Sequence, residues 1–151
     1  MSFMENFTTL KELLTNSEKQ FENHTAFYLK DKGNAIYGVT YKKFKRDCES
    51  FGTALLYELG AKDKNIGIFM NNCYEWCVAY LAVTGGVGTV VPLDKELPAN
   101  ELDNIITFAE IEVIITDERT YETISQIVSH KNLRVIKTME DPVENTVTFQ
   151  S

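Results

Sequence analysis

MNNCYEWCVAYLAVTGGVGTVVPLDKELPANEL, residues 70–102, is the stretch whose reading decides the fold. It carries the chain's single tryptophan, two of its three cysteines, two of its three prolines and its tightest glycine cluster. Asn72-x-x-Glu75 has the spacing of a capping box, in which a short polar side chain and a glutamate satisfy the free N–H groups of a helix start. In the helix this predicts, Tyr74, Cys77, Val78 and Leu81 recur at helical spacing. Trp76, Ala79, Tyr80, Ala82 and Val83 fill much of the remaining circumference. A helix apolar on most sides is buried on most sides, so residues 73–84 are expected between a sheet and another layer, or to offer a surface for self-association.

Thr84-Gly85-Gly86-Val87-Gly88-Thr89 has the composition of a phosphate loop but the wrong order. Phosphate-binding glycines leave a strand and open a helix, so that helix N–H groups meet the anion. Here they follow a helix and open a strand. Gly85 and Gly86 suit a helix C-cap, and Gly88 suits close backbone packing at a strand start. Val87–Val91 is a continuous β-branched run, the pattern of a parallel strand covered on both faces, and Pro92 is expected to end it. Leu97-Pro98 begins a helix with proline in its first turn, whose buried face is Leu102, Ile105, Ile106 and Ala109.

Working back from this unit, Asn65–Met70 is a short apolar strand. Before it, Thr40 caps a long helix with Phe44, Cys48, Phe51, Leu55 and Leu59 as its stripe and Gly60 as the residue past its end. Lys42, Lys43, Lys45 and Arg46 lie off that stripe and read as a solvated face rather than a phosphate contact. Thr9-x-x-Glu12 is another capping box and opens a helix near 9–20. Between the two helices, Ala26–Lys30 and Ile36–Thr40 flank Asp31-Lys32-Gly33-Asn34, which is turn chemistry, so a hairpin is expected. Working forward, Val113–Thr116 is a third parallel strand. Asp117 caps a helix carrying Tyr121, Ile124, Ile127 and Val128, and Leu133–Ile136 is a fourth strand.

Strand and helix thus alternate with crossovers long enough for right-handed βαβ units. The fold class is α/β, a mainly parallel Rossmann-like sheet flanked by helices, with an N-terminal helix and β-hairpin. Residues 1–137 are expected to form one unit and residues 138–151 a loose polar tail.

The 151 residues suffice for one domain of ordinary size. A net charge of −7 and a pI near 4.9 argue against a nucleic-acid partner and against an anionic membrane surface. No apolar run approaches the roughly 20 residues of a transmembrane helix, and the N-terminus lacks the pattern of a secretory signal. A cytoplasmic location is expected. The sequons at Asn6 and Asn23 are then accidental, and Cys48, Cys73 and Cys77 are expected as free thiols. Cys73 and Cys77 share a helix face, but Cys48, His24 and His130 add no ligand-like spacing.

Ligands of parallel sheets bind beyond the carboxyl ends of the strands. Those ends are Asn71-Asn72, Pro92-Leu93-Asp94 and Asp117. None combines a nucleophile, a base and an oxyanion donor. Asp94 and Asp117 are expected as loop or cap residues, and no catalytic, cofactor-binding or metal-binding residue is assigned.

In Asn71-Asn72-Cys73-Tyr74-Glu75-Trp76, followed by Ala79-Tyr80-Leu81-Ala82, the chain resembles the AMP-forming acyl-CoA synthetases of the adenylate-forming superfamily, which includes firefly luciferase and the adenylation domains of nonribosomal peptide synthetases. Gly85–Gly88, Val90-Val91-Pro92-Leu93, Leu97-Pro98-Ala99-Asn100-Glu101-Leu102 and Thr40-Tyr41 continue the likeness, which covers roughly residues 8–137 and is strongest to long-chain fatty-acid CoA ligases. Cys73 stands where the family commonly has arginine.

The resemblance implies a parent reaction in which a fatty acid and ATP give an acyl-adenylate and pyrophosphate, and CoA then takes the acyl group, with magnesium on the polyphosphate. The family's phosphate loop, ribose-binding aspartate, hinge and C-terminal lysine would all lie beyond residue 151. The expectation is therefore an N-terminal fragment, inactive alone, whose partner is the remainder of the parent enzyme. A free-standing interaction module built on helix 73–84, and part of an amino-acid adenylation domain, are the alternatives.

Overall fold

The computed structural model describes residues 7–128, 132–138 and 149–150. A helix, α1 (Leu10–Phe21), leads into a hairpin of β1 (Thr25–Lys30) and β2 (Ile36–Thr40), followed by α2 (Tyr41–Tyr57). The α/β unit proper then runs β3 (Asn65–Phe69), α3 (Tyr74–Ala82), β4 (Thr89–Pro92), α4 (Ala99–Phe108), β5 (Ile111–Thr116), α5 (Glu118–Val128) and β6 (Arg134–Thr138). A short β7 (Phe149–Gln150) pairs antiparallel with β6. Strands β3 to β6 are mutually parallel, in the order β4-β3-β5-β6. The mixed α/β class with a mainly parallel sheet and an N-terminal helix and hairpin is as the sequence implies.

The sheet is covered on both faces, and residue alternation along the strands assigns the layers. Ile66, Ile68 and Met70 of the β3 segment, with Val113 and Ile115 of β5, pack with Phe44, Cys48, Phe51 and Leu55 of α2 and Val78 and Ala79 of α3. The intervening Phe69 and Ile114 turn the other way, onto Leu102 and Ile106 of α4 and Ile124 and Ile127 of α5. This division follows from topology. β3 to β4 moves one way across the sheet, and β4 to β5 returns past β3. Right-handed crossovers in opposite directions must pass over opposite faces, which is where α3 and α4 lie.

Several boundaries differ from the sequence reading. In α1, the Thr9 hydroxyl accepts from the Glu12 N–H at 3.1 Å as expected, but the Glu12 carboxylate reaches back to Thr8. Helix α3 is capped at Cys73, with no side-chain cap, so Asn72 does not close a capping box. The regular helix ends at Ala82, and the helical path breaks at the expected glycine pair. It widens into a π-type turn, Val83–Val87, in which Gly86 takes φ 124°. Val87 is buried in that turn, so β4 begins at Thr89 instead of Val87. An L side chain is strained at the Gly86 backbone angle. Gly88 is needed for a different reason: a Cβ there would stand 2.3 Å from the Lys64 carbonyl oxygen.

Strand β4 was expected in the interior, ended by Pro92. It lies at the edge of the sheet among the described residues, and Pro92 is part of it, in register with Ile68. The Thr89 and Leu93 N–H groups donate to Lys64 and Ile68 carbonyls of the neighbouring segment, each at 3.0 Å. Alternation then turns the backbone of Val90 and Pro92 outward, where proline's missing N–H removes no ladder bond.

Gly60 takes the left-handed conformation past the end of α2, at φ 57°. Tyr121, expected on the buried face of α5, is exposed, while Ile124 and Ile127 are buried. Lys42, Lys43 and Lys45 pair with Glu22, Asp47 and Glu49. Of the tail expected to be loose, Thr138 closes β6 and Phe149–Gln150 form β7, while residues 139–148 and 151 lie outside the described residues. His130 and Asn6 also lie outside them.

Candidate functional site

The strand order puts a topological switch point between β3 and β5, because the chain leaves β3 for β4 on one side and returns to β5 on the other. Ligands of open α/β sheets favour the crevice beyond the carboxyl ends at such a point. In this chain the crevice lies beside the hairpin turn. Together they border a cleft of about 760 Å³ whose lining includes Lys30, Lys32, Asn71, Glu75, Asp117 and Arg119.

The floor of the crevice is closed by the protein's own groups. One carboxylate oxygen of Asp117 accepts from the Asn71 backbone N–H and side-chain amide, both at 2.8 Å. Its other oxygen accepts from the Thr120 N–H at 2.8 Å and hydroxyl at 2.9 Å. That hydroxyl also stands 2.8 Å from the Phe69 carbonyl at the end of β3, and its single proton serves one of the two acceptors at a time. Asp117 is thus the cap of α5, as its position implies, and also a clasp between the ends of β3 and β5. Burial works to raise its pKa. The hydrogen bonds from Asn71 and Thr120 outweigh that and hold it below the ordinary carboxylate value. Lys95 reaches Asn71 Oδ1 at 3.0 Å, and Asp94 accepts the Glu96 N–H within its own loop.

The carboxylates in the cleft lining are Asp31, Glu75 and Asp117, and both oxygens of Asp117 already accept hydrogen bonds. Deeper in, the Tyr74 hydroxyl donates to Asp47 at 2.7 Å, and Asp47 pairs with Lys43. Burial, then the Asp47 carboxylate, pushes the Tyr74 hydroxyl above its usual range, so it stays a donor. Burial likewise pushes the Cys48 thiol up to about 12. Among the described residues, no three histidine, cysteine, aspartate or glutamate side chains gather to hold a metal ion, and the cysteines are free.

Helix 73–84 packs on the core, which is the first of its two expected settings. Tyr74, Val78, Ala79 and Ala82 are buried, and Trp76, Cys77, Tyr80 and Leu81 pack against the same core, with Trp76 stacked on Tyr80 at 5.2 Å. The sequence reading missed the Asn71–Asp117–Lys95 contact set. Each residue ends a different strand, and only the strand order makes them neighbours.

Comparison with known proteins matches residues 14–150 to the family described as AMP-binding enzyme. Long-chain-fatty-acid–CoA ligase 5 of Rattus norvegicus is 33% identical over 81 residues, covering 52% of this chain and 12% of that protein. Tyrocidine synthase 1 of Brevibacillus parabrevis is 27% identical over 90 residues, covering 60% of this chain and 8% of that protein. The chain spans between 2% and 12% of the length of the curated relatives it matches. Among solved structures, a benzoate CoA ligase from Burkholderia xenovorans superposes with a TM-score of 0.72 at 18% identity, over 88% of this chain and 26% of that one. At that identity the likeness speaks for the fold.

Proposed function

Since the chain belongs to the AMP-binding enzyme family, we propose that it is the N-terminal portion of an ATP-dependent, AMP-forming acyl-CoA synthetase and serves there as scaffold. The observation that carries this reading is the family match across residues 14–150 in a chain that spans so small a share of its relatives. Asp117 supports the scaffold role, because both of its carboxylate oxygens accept hydrogen bonds within the fold, from Asn71 beyond β3 and from Thr120 in α5. The parent reaction would join a fatty acid to CoA, with ATP and magnesium, in the cytoplasm. The likeness to the rat long-chain-fatty-acid–CoA ligase favours an acyl substrate.

Carboxylate-dependent exchange between ATP and pyrophosphate tests the reading. The isolated 151-residue chain should show none with fatty acids or amino acids, and robust exchange by a homogeneous sample would refute the scaffold role. A second reading, part of an amino-acid adenylation domain, is favoured by the likeness to tyrocidine synthase 1 and to bacitracin synthase 1 of Bacillus licheniformis. The protein encoded by the whole reading frame separates the two. Fatty-acyl-CoA formation supports the ligase, and aminoacyl hydroxamate formation without it supports the alternative.

A further inference from the structure

Helix α1 has no fully buried residue, and between it, α2 and the turn after α3 lies a further cavity of about 380 Å³. Three half-buried leucines from three elements converge there: Leu14 of α1, Leu56 of α2 and Leu81 of α3. Cys48, Ala82 and Val87, all buried, complete the apolar lining. Glycines keep the space open, since a Cβ added at Gly85 or Gly86 would meet nothing within 4 Å. The α2 wall runs from Lys45 to Leu56, roughly 16 Å of helix at about 1.5 Å per residue. That is long for the volume, so the cavity is a channel for one chain and not a bowl for a ring system. It shares no lining residue with the cleft at the carboxyl ends of the strands, and it borders the turn that enters the amino end of β4.

Charge selects the head group. Lys45 is paired with Glu49 at 2.7 Å. Lys11, one turn before Leu14 on α1, makes no ion pair or hydrogen bond among the described residues. The channel thus has apolar walls and one uncompensated positive charge. Ligand sites of about 300–1,000 Å³ combine apolar walls with a few polar groups that fix orientation. We infer that this channel binds a single-chain aliphatic anion, with its chain along Leu14, Leu56 and Leu81 and its head at Lys11. The inference stands apart from the reading under Proposed function, because it concerns neither the crevice nor the parent reaction.

Glycine amides report on both places. Gly52, Gly85 and Gly86 line the channel, and Gly33 lines the cleft. In an amide NMR titration of the 151-residue chain, decanoate below its micelle concentration should shift the three channel glycines saturably and leave Gly33 in place. Decylammonium, with the same chain and the opposite charge, should bind about tenfold more weakly. Lys11→Gln should weaken decanoate severalfold. Gly85→Leu, whose side chain enters the open space, should abolish the shifts at Gly52 and Gly86 in a spectrum that is otherwise that of the folded chain. Shifts at Gly33 alone overturn the inference in favour of the cleft. Equal affinity for decanoate and decylammonium overturns the role of Lys11 and with it the ligand class. Shifts at the channel glycines that never saturate, or no shift there, overturn the site itself.

Discussion

At the scale of single residues, the glycines between α3 and β4 divide by what surrounds them. At Gly88 the obstacle is backbone, the Lys64 carbonyl, which accepts the Thr89 N–H while the Lys64 N–H donates to the Ala61 carbonyl. Neither side can yield without breaking a pairing between β3 and β4, so Gly88→Ala should cost about 3 kcal/mol, at the upper end of overpacking penalties. Gly85 lies in the same turn with nothing within 4 Å of its added Cβ. Gly85→Ala should be neutral or stabilising by about 0.5 kcal/mol. Urea unfolding of the two variants should therefore move in opposite directions or, at least, only one should fall.

Asp117 gives a second prediction at this scale, a dependence on pH. A carboxyl whose folded pKa is depressed adds stability that is fully present above its unfolded pKa, near 3.9, and is lost as pH falls through the folded value. Asp117 is such a carboxyl, held below its ordinary value by the hydrogen bonds from Asn71 and Thr120. The stability difference between wild type and Asp117→Asn should thus be constant at neutral pH and shrink below about pH 4. Urea midpoints measured from pH 7 to pH 3 would show it. A difference that grew on acidification would mean that Asp117 is held as the neutral acid.

At the scale of elements, an aromatic cluster ties the hairpin to the helices. Phe27 of β1 meets Phe44 of α2 at 4.8 Å and Tyr74 of α3 at 5.2 Å, both edge-on. Only Tyr74 adds a polar link, to Asp47. Tyr74→Phe keeps the ring contacts and removes that bond, so it should cost about 1.5 kcal/mol, the low end for a hydrogen bond to a charged group. The backbone amides of α2 and α3 should exchange faster.

What the sequence disclosed follows the same lines. Period and caps were legible where the signal is local: Thr9, Thr40 and Asp117 each accept an N–H at a helix start. Gly88 was legible because a glycine between a helix and a β-branched run has few other uses. Asn72 misled, because Asn and Cys at neighbouring positions both permit the extended backbone of an N-cap, and Cys73 takes it without a side-chain bond. Pro92 misled for a related reason. A proline ends an interior strand but sits freely on an outward position of an edge strand, and nothing local says which strand is at the edge.

At the scale of the whole molecule, strand order is the information the sequence withheld. Periodicity shows that strands and helices alternate, but not that β4 returns past β3, so the switch point and the Asn71–Asp117 clasp had no local signature. Strand order also makes one cooperative unit of two apolar clusters. Strands β3 and β5 feed alternate side chains to both: Ile68 and Ile115 to the α2–α3 side, Phe69 and Ile114 to the α4–α5 side. A void opened on one face therefore loosens strands that hold the other. Ile114 is fully buried on the α4–α5 side, and Ile114→Ala should cost about 2–5 kcal/mol. Trp76, the chain's only tryptophan, packs on the opposite side. If the layers unfold together, Ile114→Ala must shift the urea midpoint read by Trp76 fluorescence as far as the midpoint read by far-ultraviolet circular dichroism. A Trp76 transition left at its wild-type midpoint while the dichroism shifts would mean that the two layers unfold separately, and that the shared strands do not couple them.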